Sequence, residues 1–211
     1  MPEELLQIYS QRKDEIKKRL QEFKEILEDT NERIFAELAF CLCTPLSKAT
    51  VCWRAIESLN KNNLLFIGTE NQIQPFLNAI FRNKDKARYI IEARKFFTEN
   101  SKIQIKNNLK MLSNNIERRE WLVKNINGFG MKEASHFLRN IGMSNDLAIL
   151  DSHILKNLYE YGIIDKPIKN PSPKKYLEIE NKMKKFSENV GIPFDELDLL
   201  LWSKETGMVF K

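Results

Sequence analysis

Two side chains in this sequence sit where chemistry could be done, Lys132 and Asp151. Lys132 follows Gly128-Phe129-Gly130-Met131, a Gly-x-Gly turn between two helical patterns. Glycines there tolerate positive φ and leave no Cβ in the way of an approaching group. Amides at the start of the next helix would form a phosphate cradle; an ordinary helix–helix turn uses the same spacing. Lys132 falls in the first turn of that helix, where the macrodipole disfavours a cation by roughly 0.3–1 kcal/mol. The same field favours the neutral amine, which is the nucleophilic form. A phosphate contact and a solvated lysine are the other uses of the position. Asp151 ends the apolar run Leu147-Ala148-Ile149-Leu150 and precedes a helix. As an N-cap it contributes about 1 kcal/mol. At the mouth of a cleft the same carboxylate would stabilise positive charge or move a proton, and the two roles are compatible.

The elements that must position these residues are helices. Residues 3–29 are dense in Glu, Lys, Gln and Leu, all good helix formers. Thr30 or Asn31 caps a second helix whose Ile34, Phe35, Leu38, Ala39 and Leu42 form one apolar stripe. Pro45 ends that run and can begin the next helix, through Val51, Trp53 and Ile56. Gly68 and Pro75 are expected to break residues 62–83 into short pieces. Further helices carry Ala87, Ile90, Ile91 and Ala93, then Trp121 and Leu122, then Met131, Ala134, Leu138 and Ile141. Another carries Ile154, Leu155, Leu158 and Tyr161. Three prolines within 165–174 mark a flexible linker, and two helices close the chain, the first through Tyr176 and Met183, the second from Pro193 to about Trp202. Strand patterns are scarce, although 102–106 alternates for a few residues.

The chain has 211 residues, enough for one large domain or two intimate lobes. Its net charge of +5 permits a polyanionic partner without requiring one. Hydrophobic content of 42% excludes wholesale disorder, and only 7 Gly and 7 Pro argue against a turn-rich β-sandwich. No apolar run is long enough to span a bilayer, so no membrane association is expected. Met1-Pro2-Glu3-Glu4 is no secretory signal, and three cysteines, an odd number, fit a reducing cytoplasm.

The stretch 125–140, Asn-Ile-Asn-Gly-Phe-Gly-Met-Lys-Glu-Ala-Ser-His-Phe-Leu-Arg-Asn, followed by Leu147-Ala-Ile-Leu-Asp-Ser-His-Ile-Leu155, resembles the helix-hairpin-helix DNA glycosylases that carry a Gly/Pro-Asp loop. More narrowly, it resembles the archaeal-type branch of the 8-oxoguanine DNA glycosylase/AP lyases. Tyr176-Leu-Glu-Ile-Glu180, Glu196-Leu-Asp-Leu199 and the closing Thr206-Gly-Met-Val-Phe-Lys211 are similar to the same branch. The likeness is strong from residue 119 onward and looser over 30–118. It implies an all-α, two-lobed helix-hairpin-helix glycosylase fold with the active site in the interlobe cleft. The hairpin would occupy about 116–141, and residues 1–211 would form a single glycosylase domain.

The resemblance implies that Lys132 is the nucleophile and Asp151 its assisting carboxylate, with Gly128 and Gly130 at DNA phosphate. It implies that Trp202 stacks on an extruded base and that the terminal carboxylate of Lys211 bonds the guanine edge. Read without it, Trp202 is a core residue and Lys211 a frayed tail. Phe81 and Arg82 resemble the segment that inspects the opposite base, although they depart from the branch's Gly-His-Arg-Phe pattern, and Cys41-Leu-Cys-Thr-Pro45 departs from its Leu-Thr-Ala-Asn-like sequence. His136 and His153 are expected to be hydrogen-bonding structural residues. Cys41, Cys43 and Cys52 lie early in the chain, unlike the C-terminal cluster ligands of endonuclease III relatives, so neither an iron–sulfur cluster nor any other cofactor is expected. The seven lysines between 166 and 185 are expected to form a solvated face. The expected partner is double-stranded DNA containing oxidised guanine, bound by a monomer. The rival functions are a glycosylase/lyase for oxidised pyrimidines and a non-catalytic DNA-binding module. The tail argues against the first, and the coincidence of Lys132 with Asp151 against the second.

Overall fold

The computed structural model describes residues 2–78, 80 and 85–211, so Phe81 and Arg82 lie outside the described residues. Twelve helices and one two-stranded hairpin appear among them. The first is α1 (Pro2–Glu28), and α2 (Asn31–Cys43) follows after Thr30, whose side chain accepts the Arg33 N–H. The apolar stripe expected on α2 is wholly buried, and the helix is central to the fold. It packs against α3 (Ala49–Lys61), α6 (Asp85–Phe97), α7 (Ile105–Lys110) and α9 (Met131–Asn140). The short α4 (Leu64–Ile67) and α5 (Glu70–Leu77) pack on α3.

Helices α8 (Asn115–Asn125) and α9 form the hairpin, and α9 also contacts α1. The chain ends meet because α1 packs along α12 (Phe194–Thr206). There the Tyr9 hydroxyl donates to Glu196 Oε2 at 2.7 Å and Arg12 donates to the Ser203 carbonyl. Helices α10 (Ser152–Glu160) and α11 (Pro173–Val190) both pack against α12. The Ser172 side chain accepts the Lys175 N–H to start α11, Pro173 occupies its first turn, and Gly191 ends it at φ +69°.

Several local expectations differ from the structure. Pro45 does not begin a helix: it lies in a turn, and α3 starts four residues later, after Lys48. Gly68 separates α4 from α5 as expected, but Pro75 sits inside α5 rather than breaking it. The alternation at 102–106 is strand only at β2 (Lys102–Ile103), paired antiparallel with β1 (Thr98–Glu99). Residues 105 and 106 already belong to α7. Pro173 and Lys174, at the end of the proline-rich segment, are the first residues of α11. Trp121 is only half-buried, tilted against Phe96 and Phe97, whereas Arg119 two residues earlier is fully buried.

Candidate active site

Gly128 and Gly130 do different work in the hairpin turn. Gly128 has φ +89°, and a Cβ there would meet Tyr89 Cδ2 at 2.6 Å, so both backbone and packing require glycine. Gly130 has φ −105°, open to any residue, and its Cβ would meet only Glu133 Oε2 at 3.1 Å. Phe129 between them is buried and tilts against Phe137, anchoring the turn to α9.

Lys132 is the second residue of α9 and Glu133 the third. Glu133 Oε2 accepts the Gly130 N–H at 3.1 Å, and Oε1 lies 3.0 Å from Lys132 Nζ. The electrostatic penalty expected for a cation at this helix start is therefore offset by the neighbouring carboxylate. That carboxylate also caps the helix and suits its dipole. Lys132 Nζ donates to Thr44 Oγ1 at 3.3 Å, while the Thr44 hydroxyl donates to Cys41 O at 2.9 Å. The loop carrying Thr44 is pinned by the buried Lys86, whose ammonium bonds Cys43 O, Pro45 O and Ser47 Oγ. Burial pulls the Lys86 pKa below the ordinary lysine value.

Asp151 is an N-cap, with Oδ1 accepting the Ile154 N–H at 2.8 Å. The segment before it is held by side chains of α11. Tyr176 donates its hydroxyl to Ala148 O at 2.7 Å and accepts the Leu150 N–H at 3.2 Å. Glu180 Oε2 accepts the Ala148 N–H at 2.7 Å, and the Glu180 carboxylate is clasped in turn by Arg119 at 2.6 and 3.0 Å. Two amides of this irregular run, those of Ala148 and Leu150, are thus satisfied by side chains of α11, which holds the segment that leads to Asp151.

Lys132 and Asp151 line one cavity of about 1620 Å³, together with Thr44, His136, Trp202 and Lys211. Half-buried Trp202 stands edge-on to His153 with ring centres 6.4 Å apart. His136 lies one turn after Lys132, edge-on to Phe40 at 5.5 Å. The ring is buried, and its nitrogens make no hydrogen bond of good geometry to a described residue. Burial first, then the charges of Arg139, Lys132 and Lys211, hold its pKa well below the usual histidine value. The imidazole is therefore neutral at pH 7. The Lys211 main chain lies against it and acts in the opposite direction.

Lys211 is not a frayed tail. It is buried, and its ammonium pairs with Glu37. Burial pushes its pKa down to about 8, with Glu37 opposing.

Asp198 and Arg139, given no role in the sequence, are both buried, with Arg139 Nη1 3.3 Å from Asp198 Oδ2. Burial, and then the charge of Asp151, raise the Asp198 carboxyl to about 6, while Arg139 opposes. A lone aspartate inside Leu197-Asp198-Leu199-Leu200-Leu201 was the available signal, as was Glu37, the one charged residue of the apolar run 34–43. Glu133 was signalled too, as an acidic third helical residue. Cys41, Cys43 and Cys52 are buried in the core, and the Cys52 thiol donates to Cys43 O. Of the lysines expected on a solvated face, Lys169 lines the cavity. Chemically, the cavity combines an amine, a carboxylate on a separate helix start and an indole.

The family model described as 8-oxoguanine DNA glycosylase matches residues 16–192. A Fusobacterium nucleatum protein named 8-oxoguanine DNA glycosylase/AP lyase is 46% identical over 209 residues, 99% of this chain and 96% of that protein. A protein of the same name from Methanocaldococcus jannaschii is 41% identical over 203 residues, 96% of this chain and 94% of that one. The crystal structure of M. jannaschii 8-oxoguanine glycosylase/lyase in complex with a 15mer DNA containing 8-oxoguanine matches with a TM-score of 0.87. It is 38% identical, and the match covers 98% of this chain and 99% of that one. A hairpin bearing Lys132, a helix-capping Asp151 lining the same cavity and full-length likeness in sequence and fold converge: the chain belongs to the archaeal-type, helix-hairpin-helix branch of the 8-oxoguanine DNA glycosylases.

Proposed function

We propose that this protein removes 8-oxoguanine from double-stranded DNA and then cleaves the strand as an AP lyase, with Lys132 as nucleophile and Asp151 as its partner. The observation that carries the assignment of residues is that two separate helix starts deliver an amine and a carboxylate to one cavity. The damaged nucleotide is flipped out of the stack at a cost of a few kcal/mol. The Lys132 amine attacks C1′ and loses a proton as the base departs with the bonding electrons. Asp151 stabilises the oxocarbenium-like charge meanwhile. Opening of the sugar ring yields the Lys132 imine. The imine acidifies C2′–H, and loss of that proton expels the 3′ phosphate by β-elimination. A lysine suits both steps because the imine is itself an electron sink, which water as nucleophile would not supply.

Trp202 offers a face for the extruded purine, and the Lys211 carboxylate accepts hydrogen bonds from its edge. The hairpin meets phosphate at Gly128 and Gly130. Only the flexible Glu133 carboxylate stands close to the Cβ position of Gly130, which leaves room for approach of an outside group there. DNA lies in the cleft between a lobe built on α2–α7 and a lobe that joins α1 to α10–α12.

Borohydride trapping tests the reading on duplexes carrying 8-oxoguanine or thymine glycol. A covalent adduct formed with the first and not the second is expected. Preference for thymine glycol would move the substrate to oxidised pyrimidines, and no adduct with either would remove the lyase mechanism.

A further inference from the structure

Chain ends usually fray, yet only 6% of the Lys211 side chain is exposed. Its ammonium pairs with Glu37, a fully buried carboxylate in the middle of α2. It also stands 3.3 Å from the centre of the Trp53 ring on α3, and 5.7 Å from that of Phe40. Glu37 is held from two more sides. Arg33 Nη1 lies 2.7 Å from its Oε1, and Asn140 Nδ2 donates to its Oε2 at 3.1 Å. The Arg33 guanidinium covers the same Trp53 ring from 5.0 Å. One carboxylate and one indole therefore tie the last residue to α2, α3 and α9.

Neither Glu37 nor Trp53 lines the cavity, whereas Lys211 does. The four-carbon lysine stem separates the two ends of that residue. The ammonium enters the cage, and the main-chain end lies against His136 at the cavity wall. A carboxylate on a free tail would have to be ordered each time a base was bound, which weakens recognition. A carboxylate whose own side chain is already anchored carries little of that penalty.

We propose that Glu37 and Trp53 are positioning residues for the oxidised base: by gripping the Lys211 ammonium they set the terminal carboxylate where the extruded purine meets it. This rests on the reading of that carboxylate as a base contact. In Glu37→Gln, single-turnover excision of 8-oxoguanine should fall roughly tenfold or more, the loss expected when a charge-assisted hydrogen bond is misplaced. Cleavage of a ready-made abasic site by the same preparation should change by less than about twofold, since that substrate has no base to hold. Trp53→Leu removes the ring face without stranding a charge and carries the same expectation, so it decides the matter if Glu37→Gln folds poorly. A parallel fall in both rates, or an unchanged ratio, in Trp53→Leu marks a merely structural role and overturns the proposal. A protein extended by residues beyond Lys211 separates the two layers. If the extension leaves excision intact, the carboxylate reading itself fails. If the extension impairs excision while Glu37→Gln and Trp53→Leu keep the native ratio, the cage alone is refuted.

Discussion

Arg119 and Glu180 form a buried two-point pair at 2.6 and 3.0 Å, joining α8 of the hairpin to α11. Glu180 also holds the Ala148 amide, three residues before Asp151. The pair therefore links the element that presents the lysine to the segment that presents the carboxylate. Breaking it by Arg119→Met should destabilise the protein by about 3–5 kcal/mol, because an uncompensated charge is left in the interior. Urea unfolding measures this, and a change near zero would mean that water reaches Glu180.

Lys132→Gln should abolish base excision and borohydride trapping while binding to damaged duplex persists. The substitution also frees Glu133 from its pairing with the ammonium, but leaves its bond to the Gly130 amide available. A mutant that still traps DNA would take Lys132 out of the mechanism.

Asp151→Asn should lose excision by about 10²–10⁴-fold, the range for a positioned acid–base group. Its melting temperature should barely move, because asparagine still accepts the Ile154 N–H as an N-cap. An activity loss that merely tracks unfolding would reduce Asp151 to a cap.

The two hairpin glycines should separate stability from binding. Gly128→Ala forces a Cβ into Tyr89 at a positive φ, so thermal stability should fall. Gly130→Val has ordinary backbone angles and should fold, yet bind damaged and undamaged duplex more weakly alike, since phosphate contacts carry no sequence information. Fluorescence anisotropy on both duplexes checks this, and selective loss of lesion binding would assign base reading to the hairpin.

Deleting Lys211 should impair excision of 8-oxoguanine more than cleavage of an abasic site. It removes both the ammonium anchored at Glu37 and the carboxylate it carries. The lost hydrogen bonds to the base are worth about 1.5–3 kcal/mol, or roughly tenfold and more in rate. Single-turnover assays of both substrates check it, and equal excision by native and shortened chains would leave Trp202 stacking as the means of holding the base.

Local order told most about this protein where a residue's neighbours in sequence are also its partners in space. Thr30, Ser172 and Asp151 cap helices through amides three residues on, and Gly191 ends one at positive φ. The stripe on α2 has the helical repeat, and Lys132 and Asp151 stand out by type and position. What only the tertiary structure decided was which distant polar groups meet. Glu37 and Lys211, Arg119 and Glu180, and Arg139 and Asp198 are each far apart in the chain, and no periodicity couples their positions. Each pair is buried, and a buried charge is tolerated only where folding delivers its partner. The tail shows the difference most plainly. A terminal lysine read alone is a solvated end, and it becomes part of the cavity wall only because α2 and α3 offer it a carboxylate and an indole.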